Sequence, residues 1–276
     1  MKPNTFLYLV LLIATTLLSC QSKQPPAPPT TDAGTQREST TKHLPLINEF
    51  HSVTNIGSMN IELSEGPCAV QATGDAALIS HIQYDVDGGI LTVSLPMERM
   101  TSTNQFATTA DITLHISCPE FHMLANIGTG NVRSIGTLRT TDLHMGGMGG
   151  GTLAFDSIVC QTFRYEGQAN STAQFAHVAC DEATVIQNSD SKVKASVAAA
   201  VHATLDLTAN AQCTAQLTTA RADVILTESA VLNLHADIDD LMLEAYNSSN
   251  ATLTGNTRRS HIQQKQQAVV QNRLER

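Results

Sequence analysis

One apolar pattern recurs six times between residues 143 and 253, and it constrains this chain more than any other feature. Segments begin at Leu143, Phe163, Val185, Leu205, Val224 and Leu241, so successive starts lie 20, 22, 20, 19 and 17 residues apart. Two residues on stand Met145, Tyr165, Gln187, Leu207, Leu226 and Leu243. Ten residues after each start stand Leu153, Ala173, Ala195, Ala215, Leu234 and Ala251, followed two residues later by Phe155, Phe175, Val197, Leu217, Ala236 and Leu253. Six segments of four positions make 24, of which only Gln187 is polar; a chain that is 42% hydrophobic would fill about ten.

A period near 20 with two short alternating strands per repeat is the mark of a stacked β-solenoid. One repeat cannot bury its own apolar side, but stacked about 4.8 Å apart the repeats share one interior and pair strand on strand. Parallel connections coil right-handedly by default. The expected fold is therefore all-β, a single-stranded right-handed parallel β-helix with an irregular N-terminal β portion. Phe155, Phe175, Val197 and Leu217 are expected to pile in one interior column. Between the strands lie turn formers, among them Gly146 to Gly151, Asn170-Ser171 and Asn188-Ser189-Asp190-Ser191.

Residues 1–19 read as a lipoprotein signal peptide. Lys2 supplies the positive start, Phe6 to Leu18 is an apolar run too short to span a bilayer, and Leu17-Leu18-Ser19-Cys20 resembles a bacterial lipobox. That resemblance implies lipidation of Cys20; the alternative is an ordinary secretory signal with an incidental Cys. Acyl chains would anchor the protein to a membrane without spanning it. No acidic residue follows Cys20, which by the same resemblance points to the outer membrane, with the periplasmic side preferred to the cell surface. Residues 20–43, with Pro25, Pro26, Pro28 and Pro29, read as a Pro/Thr-rich tether. The folded domain is expected over 44–255. Within it, Asp87-Gly88-Gly89 signals a hairpin or corner, residues 97–108 read as a loop, and Ala76 to Ile82 as one or two helical turns. Residues 256–276 are a polar tail or cap, in which Ile262, Val269, Val270 and Leu274 could form one face of a short helix.

Three stretches carry a family resemblance: Asn60-Ile61-Glu62-Leu63-Ser64-Glu65-Gly66, then Gly88 to Leu95, then Gly128-Thr129-Gly130-Asn131-Val132. Together they resemble the head GIN domain, a family of auto-transporter adhesin heads frequent among Bacteroidetes lipoproteins, over about residues 45–255. The resemblance implies an all-β right-handed β-helix of the cell envelope, and it implies no activity.

The residues offer no catalytic set. After Cys20, five cysteines remain: Cys68, Cys118, Cys160, Cys180 and Cys213. An odd number leaves at least one thiol unpaired within the chain. Cys160 and Cys180 lie one period apart, so they are candidates for a disulfide between neighbouring rungs, against buried free thiols as the alternative. No Cys-x-x-Cys occurs, and His115, His122, His144 and His235 lack metal-ligand spacing, so no metal and no cofactor is expected. Asp237, Asp239 and Asp240 read as solvated turn carboxylates rather than a Ca²⁺ site. A net charge of −9 excludes a nucleic-acid partner. Ile186, Ile225 and Met242 fall on outward slots and mark a candidate interface, for a partner or a homo-oligomer; a covering loop or tail is the alternative.

The sequence thus points to a non-enzymatic, lipid-anchored envelope module of the adhesion type, with an envelope protein or a glycan as partner. The competing readings are a carbohydrate-active β-helix enzyme and a structural component without a ligand.

Overall fold

In the computed structural model, residues 39–46, 48–95 and 112–275 are described. The signal peptide, Cys20, most of the tether and the 97–108 segment lie outside them. Each complete rung has three sides. Side A carries β11 (Asp142–Met148), β14 (Thr162–Gln168) and the C-terminal halves of five long strands: β15 (Thr172–Gln187), β16 (Lys192–Leu207), β17 (Gln212–Leu226), β18 (Val231–Ala245) and β19 (Asn250–Gln264). Side B carries β12 (Thr152–Phe155), the N-terminal halves of the same strands, and β20 (Val269–Glu275). Side C is short, with β10 (Thr137–Arg139), β13 (Ser157–Val159) and the middle residues of the long strands. The two-strand repeat expected from sequence therefore lacks this third side. All pairings from β11 to β20 are parallel, with register shifts in the β15–β16 and β16–β17 pairs.

The interior columns correct the phase of the repeat. Leu143 and Phe163 align with Ala183, Ala203, Ala222 and Leu241, whereas Val185, Leu205 and Val224 align with Tyr165 and Leu243. The structural starts are spaced 20, 20, 20, 19 and 19. Side chains alternate with period two, so a slip of two residues keeps every residue on the same side while moving it one column along. The expected column of four is wrong for the same reason. Phe155 and Phe175 stack with ring centroids 6.1 Å apart, above Ala195 and Ala215. Val197 and Leu217 belong to the side C column, below Ile158 and Val178. All four are nonetheless interior. Phe163 and Tyr165 meet the Phe175 ring edge-on at 5.1 and 5.2 Å, so the aromatic mass is concentrated in the middle rungs.

Corners between sides A and B come in two kinds. In the upper rungs β2 (Ser52–Gly57) turns into β3 (Asn60–Glu65), and β8 (Met123–Gly128) into β9 (Asn131–Ser134). There Gly57, Gly128 and Gly149 take φ of 122°, 132° and 103°. A Cβ on Gly128 would lie 2.3 Å from the Gly57 carbonyl oxygen of the rung above, so the backbone-on-backbone approach itself requires glycine. Asn55 and Asn126 brace these corners from inside. Asn55 Nδ2 donates to Asn126 Oδ1 at 2.9 Å and to the Met59 carbonyl at 3.1 Å, while Asn126 Nδ2 donates to the Gly130 carbonyl at 2.7 Å. In the lower rungs the left-handed residue is not glycine: Ala169, Ser189, Ala209, Glu228, Asn247 and Gln266 hold φ between 54° and 60°. Two residues later a small buried side chain fills the inside of each bend: Ser171, Ser191, Ala211, Ala230, Ser249 and Ala268.

The upper end closes by reversing strand direction. Strands β6 (Ile90–Ser94) and β7 (Thr113–Cys118) lie parallel on β2 and β3, although they follow them in the chain. Beyond them the antiparallel strands β5 (Gln83–Asp87), β4 (Ala69–Asp75) and β1 (Ser39–Leu44) complete the top. The Gly88-Gly89 turn is thus a hairpin, with φ of 56° and 76°. Helix α1 (Ala76–Ile79) is a single turn capped by Asp75 Oδ1, which accepts from Ala77 N at 2.8 Å. Two expected boundaries move. β1 begins five residues inside the expected tether, and the tail is not helical: residues 256–275 continue the ladder through β19 and β20. Ile262 and Leu274 point where helix spacing also put them, because both extend interior columns, under Leu243 and Gly255.

The two corner types respond oppositely to substitution. Gly128→Ala is expected to lose about 3 kcal/mol in denaturant unfolding, through steric overlap on a strained φ. Ala209→Gly is expected to gain about 0.5–1 kcal/mol by relieving a left-handed alanine.

Candidate functional site

The candidate interface residues lie in two neighbouring outward columns of side A. Ile186 and Ile225 share a side A column, but Asp206 sits between them and Glu244 follows Ile225. Met242 occupies the neighbouring column, below Asp223. Ile225 and Met242 are 39% and 40% exposed, and Ile186 is half-buried. The repeat phase is again responsible, since Ile186 and Ile225 stand two residues further along their strands than Met242 does. Partial burial raises the Asp206 carboxyl between them above its ordinary range.

Further up side A lies a buried carboxylate. Glu166 is 5% exposed, and its Oε1 accepts from Arg164 Nε at 2.8 Å, with Arg164 Nη2 at 2.6 Å and His144 Nε2 at 3.4 Å. Burial pushes the Glu166 pKa up, but hydrogen bonds and charge from His144 and Arg164 outweigh it and hold it below the ordinary value. The arrangement neutralises a charge outside the sheet and leaves it no proton to give at neutral pH.

The junction of sides B and C forms a cleft along the lower rungs. Two clefts of about 410 and 390 Å³ share Ser196 and Gln216 and so form one strip. Gln174, Lys194 and Thr214 align in one column, and Ser196, Gln216 and His235 in the next. A β-bulge in β15 at Ala176-His177, opposite Ser196, adds His177 to the wall. The strip presents hydrogen-bonding groups at the ladder spacing of about 4.8 Å. A more open depression of about 740 Å³ runs beside it along side C, over Ala179, Ala198 and Ala220, with Asp237, Asp239 and Arg258 below. Periodicity hid the strip, because it needs the third side.

The other singled-out residues have local partners. His115 Nδ1 lies 2.9 Å from Glu62, which also bonds Arg133. His122 faces Glu120 at 3.9 Å, and His235 bonds Thr254 at 3.2 Å. Asp239 and Asp240 pair with Arg258 and Arg259 of the next rung, at 3.4 and 3.1 Å, within β18 rather than in a turn. Among the described residues no group of His, Cys, Asp and Glu could hold a metal ion. No helix there is long and apolar enough to cross a membrane.

The five described cysteines are free thiols. Cys118 Sγ bonds the Glu120 carbonyl at 3.1 Å, and burial, with Cys68 nearby, pushes its pKa up to about 12. Cys68 Sγ turns to a different carbonyl, that of Phe50, at 3.3 Å. Cys213 is buried in side B, and burial pushes it up to about 12 as well. Cys160 and Cys180 sit side by side on adjacent rungs, Val159 pairing with Ala179 just before them.

Two electrostatic outcomes follow. Arg164→Ala is expected to cost about 3 kcal/mol by leaving Glu166 buried without its main partner, and Glu166→Gln in the same chain to restore part of it. Because the folded-state pKa of Glu166 is depressed, its contribution is present above the ordinary carboxylate range and lost as pH falls through the depressed value. Asp206 has the opposite sign. Asp206→Asn is expected to raise the melting temperature at pH 7, the gain vanishing as pH falls below the ordinary Asp range, as a thermal-melt series would show.

Comparison with known proteins agrees with this architecture. The family model described as "putative auto-transporter adhesin, head GIN domain" matches residues 49–215. Among solved structures, a protein from Parabacteroides distasonis described as a "putative adhesin" superposes with a TM-score of 0.70 at 11% identity, covering 86% of this chain and 98% of its own. One from Bacteroides fragilis gives 0.60 at 14% identity, with the same coverages. A third, from Parabacteroides distasonis and described as a "putative lipid binding protein", gives 0.56 at 13% identity, covering 85% and 97%. No curated protein matches significantly. At these identities the structures speak to the fold alone, while the family model spans more than half of the sequence: the chain belongs to the head GIN domain family.

Proposed function

We propose that this protein is a non-enzymatic adhesion-type binding module of the cell envelope, and that the polar strip between sides B and C is its contact surface. One observation carries the reading: Gln174, Lys194, Ser196, Gln216 and His235 stand in register along successive rungs and line one continuous cleft. A rigid ladder spends its hydrogen bonds on holding such side chains in place, which favours recognition of an extended partner, a glycan or an envelope protein. The adhesin description of the family and of similar structures supports the same class. A lipid on Cys20 and the proline-rich segment after it would place the module at the outer membrane, held off the bilayer.

A glycan array run beside a polysaccharide-degradation assay tests the reading. Binding without turnover is expected, weakened at least tenfold by Lys194→Glu with Gln216→Ala and unchanged by Ile225→Asp. Turnover of any polysaccharide would replace it with an enzyme. If Ile225→Asp instead abolished binding or changed the oligomeric state, the side A patch at Ile225 and Met242 would be the contact surface. Cys20→Ser is expected to move the protein from the membrane to the soluble fraction and to abolish labelling by a fatty acid.

A further inference from the structure

The lower rungs hold one pair of nucleophilic side chains that neither the fold nor the proposed binding surface uses. Cys160 follows β13 at the corner between sides C and A, and its backbone N–H donates to the Ala179 carbonyl at 3.0 Å, carrying the ladder one residue beyond the strand. Cys180 therefore stands directly on the next rung. Parallel neighbours about 4.8 Å apart lie inside the Cα window of a disulfide. The two are 8% and 7% exposed, and Cys180 borders the open depression along side C. Below them the same column continues as Ala199, Thr219 and Ile238, so no third thiol competes for either. Cys68 and Cys118, also neighbours, point at separate carbonyls and not at each other. The odd count thus resolves as two neighbouring pairs and an isolated Cys213.

We propose that Cys160 and Cys180 are a modification site, closing an inter-rung disulfide by exchange with a small-molecule disulfide that enters over side C. Cys180 Sγ loses its proton, attacks one sulfur of the small disulfide and expels the other half as a thiolate, which takes up a proton. Cys160 then loses its proton and attacks the Cys180 sulfur of the mixed disulfide, releasing the second half as a thiol. Two protein thiols are oxidised and one small disulfide is reduced to two thiols. Cys180 lines the open depression along side C and Cys160 does not, so Cys180 is the thiol that the small disulfide meets first. The product clasps the two rungs at the corner where they turn from side C to side A.

The test uses the full chain and oxidised glutathione. After incubation, peptide mapping without reductant is expected to link Cys160 to Cys180, and the oxidised protein to melt roughly 5 °C higher than the reduced one. Cys160→Ser should accumulate one glutathione on Cys180, whereas Cys180→Ser should leave Cys160 unmodified. Free thiols at both positions after oxidation, or two separate glutathione adducts, would overturn the proposal. A linked pair without a rise in melting temperature would overturn the clasp, and an adduct on Cys160 in the Cys180→Ser variant would overturn the order of attack.

Discussion

The parallel hydrogen-bond ladder is what everything else in this molecule leans on. Each rung satisfies its backbone groups with the rung above and the rung below, so no rung can move alone and each inward side chain must match the one stacked on it. Side A meets that requirement by setting one column of alanines, Ala183, Ala203 and Ala222, beside columns of larger residues, Val185, Leu205 and Val224 and then Gln187, Leu207 and Leu226. Where the interior is wider, Phe155, Phe163, Tyr165 and Phe175 fill it together.

Corners carry the strain that straight strands avoid. Upper corners bring backbone against backbone and need Gly128 and Gly149, with Asn55 and Asn126 satisfying the carbonyls left facing inward. Lower corners replace glycine by a left-handed Ala, Ser, Glu, Asn or Gln and put a small residue inside the bend, with buried Gln187 donating to Ser191 in one of them. At the changeover Tyr165 occupies the space: a Cβ on Gly147 would lie 3.2 Å from its hydroxyl and one on Gly167 only 2.8 Å. Burial pushes the Tyr165 pKa up to about 12, only partly offset by the nearby Ser171, so the phenol stays neutral inside the core.

Charges are arranged around the ladder rather than within it. Glu166, Asp223, Asp239 and Asp240 each meet a basic partner on their own or an adjacent rung, which limits like-charge stacking in a chain of net charge −9. Asp206, between Ile186 and Ile225, departs from that pattern. The polar strip between sides B and C differs again, since Gln, Ser, His and Lys side chains repeat there across rungs and face solvent.

Composition and spacing alone determined that this is an all-β solenoid, which residues face inward, and where turns fall, because burial alternates with period two and the rung length is close to 20 residues. They also carried the resemblance that led to the family, through Asn60 to Gly66 and Gly128 to Val132. Column membership needed the coordinates: a two-residue slip leaves every side chain on the same face, so Val197 and Leu217 read as companions of Phe175 although they line another side. The third side, the antiparallel closure by β1, β4 and β5, and the strand rather than helix at Ile262 to Leu274 were likewise decided by tertiary pairing. Edge strands there have weak local signals of their own and are held by the ladder they extend. The polar strip belongs to the same class: its residues are unremarkable one by one and become a surface only when the rungs stack.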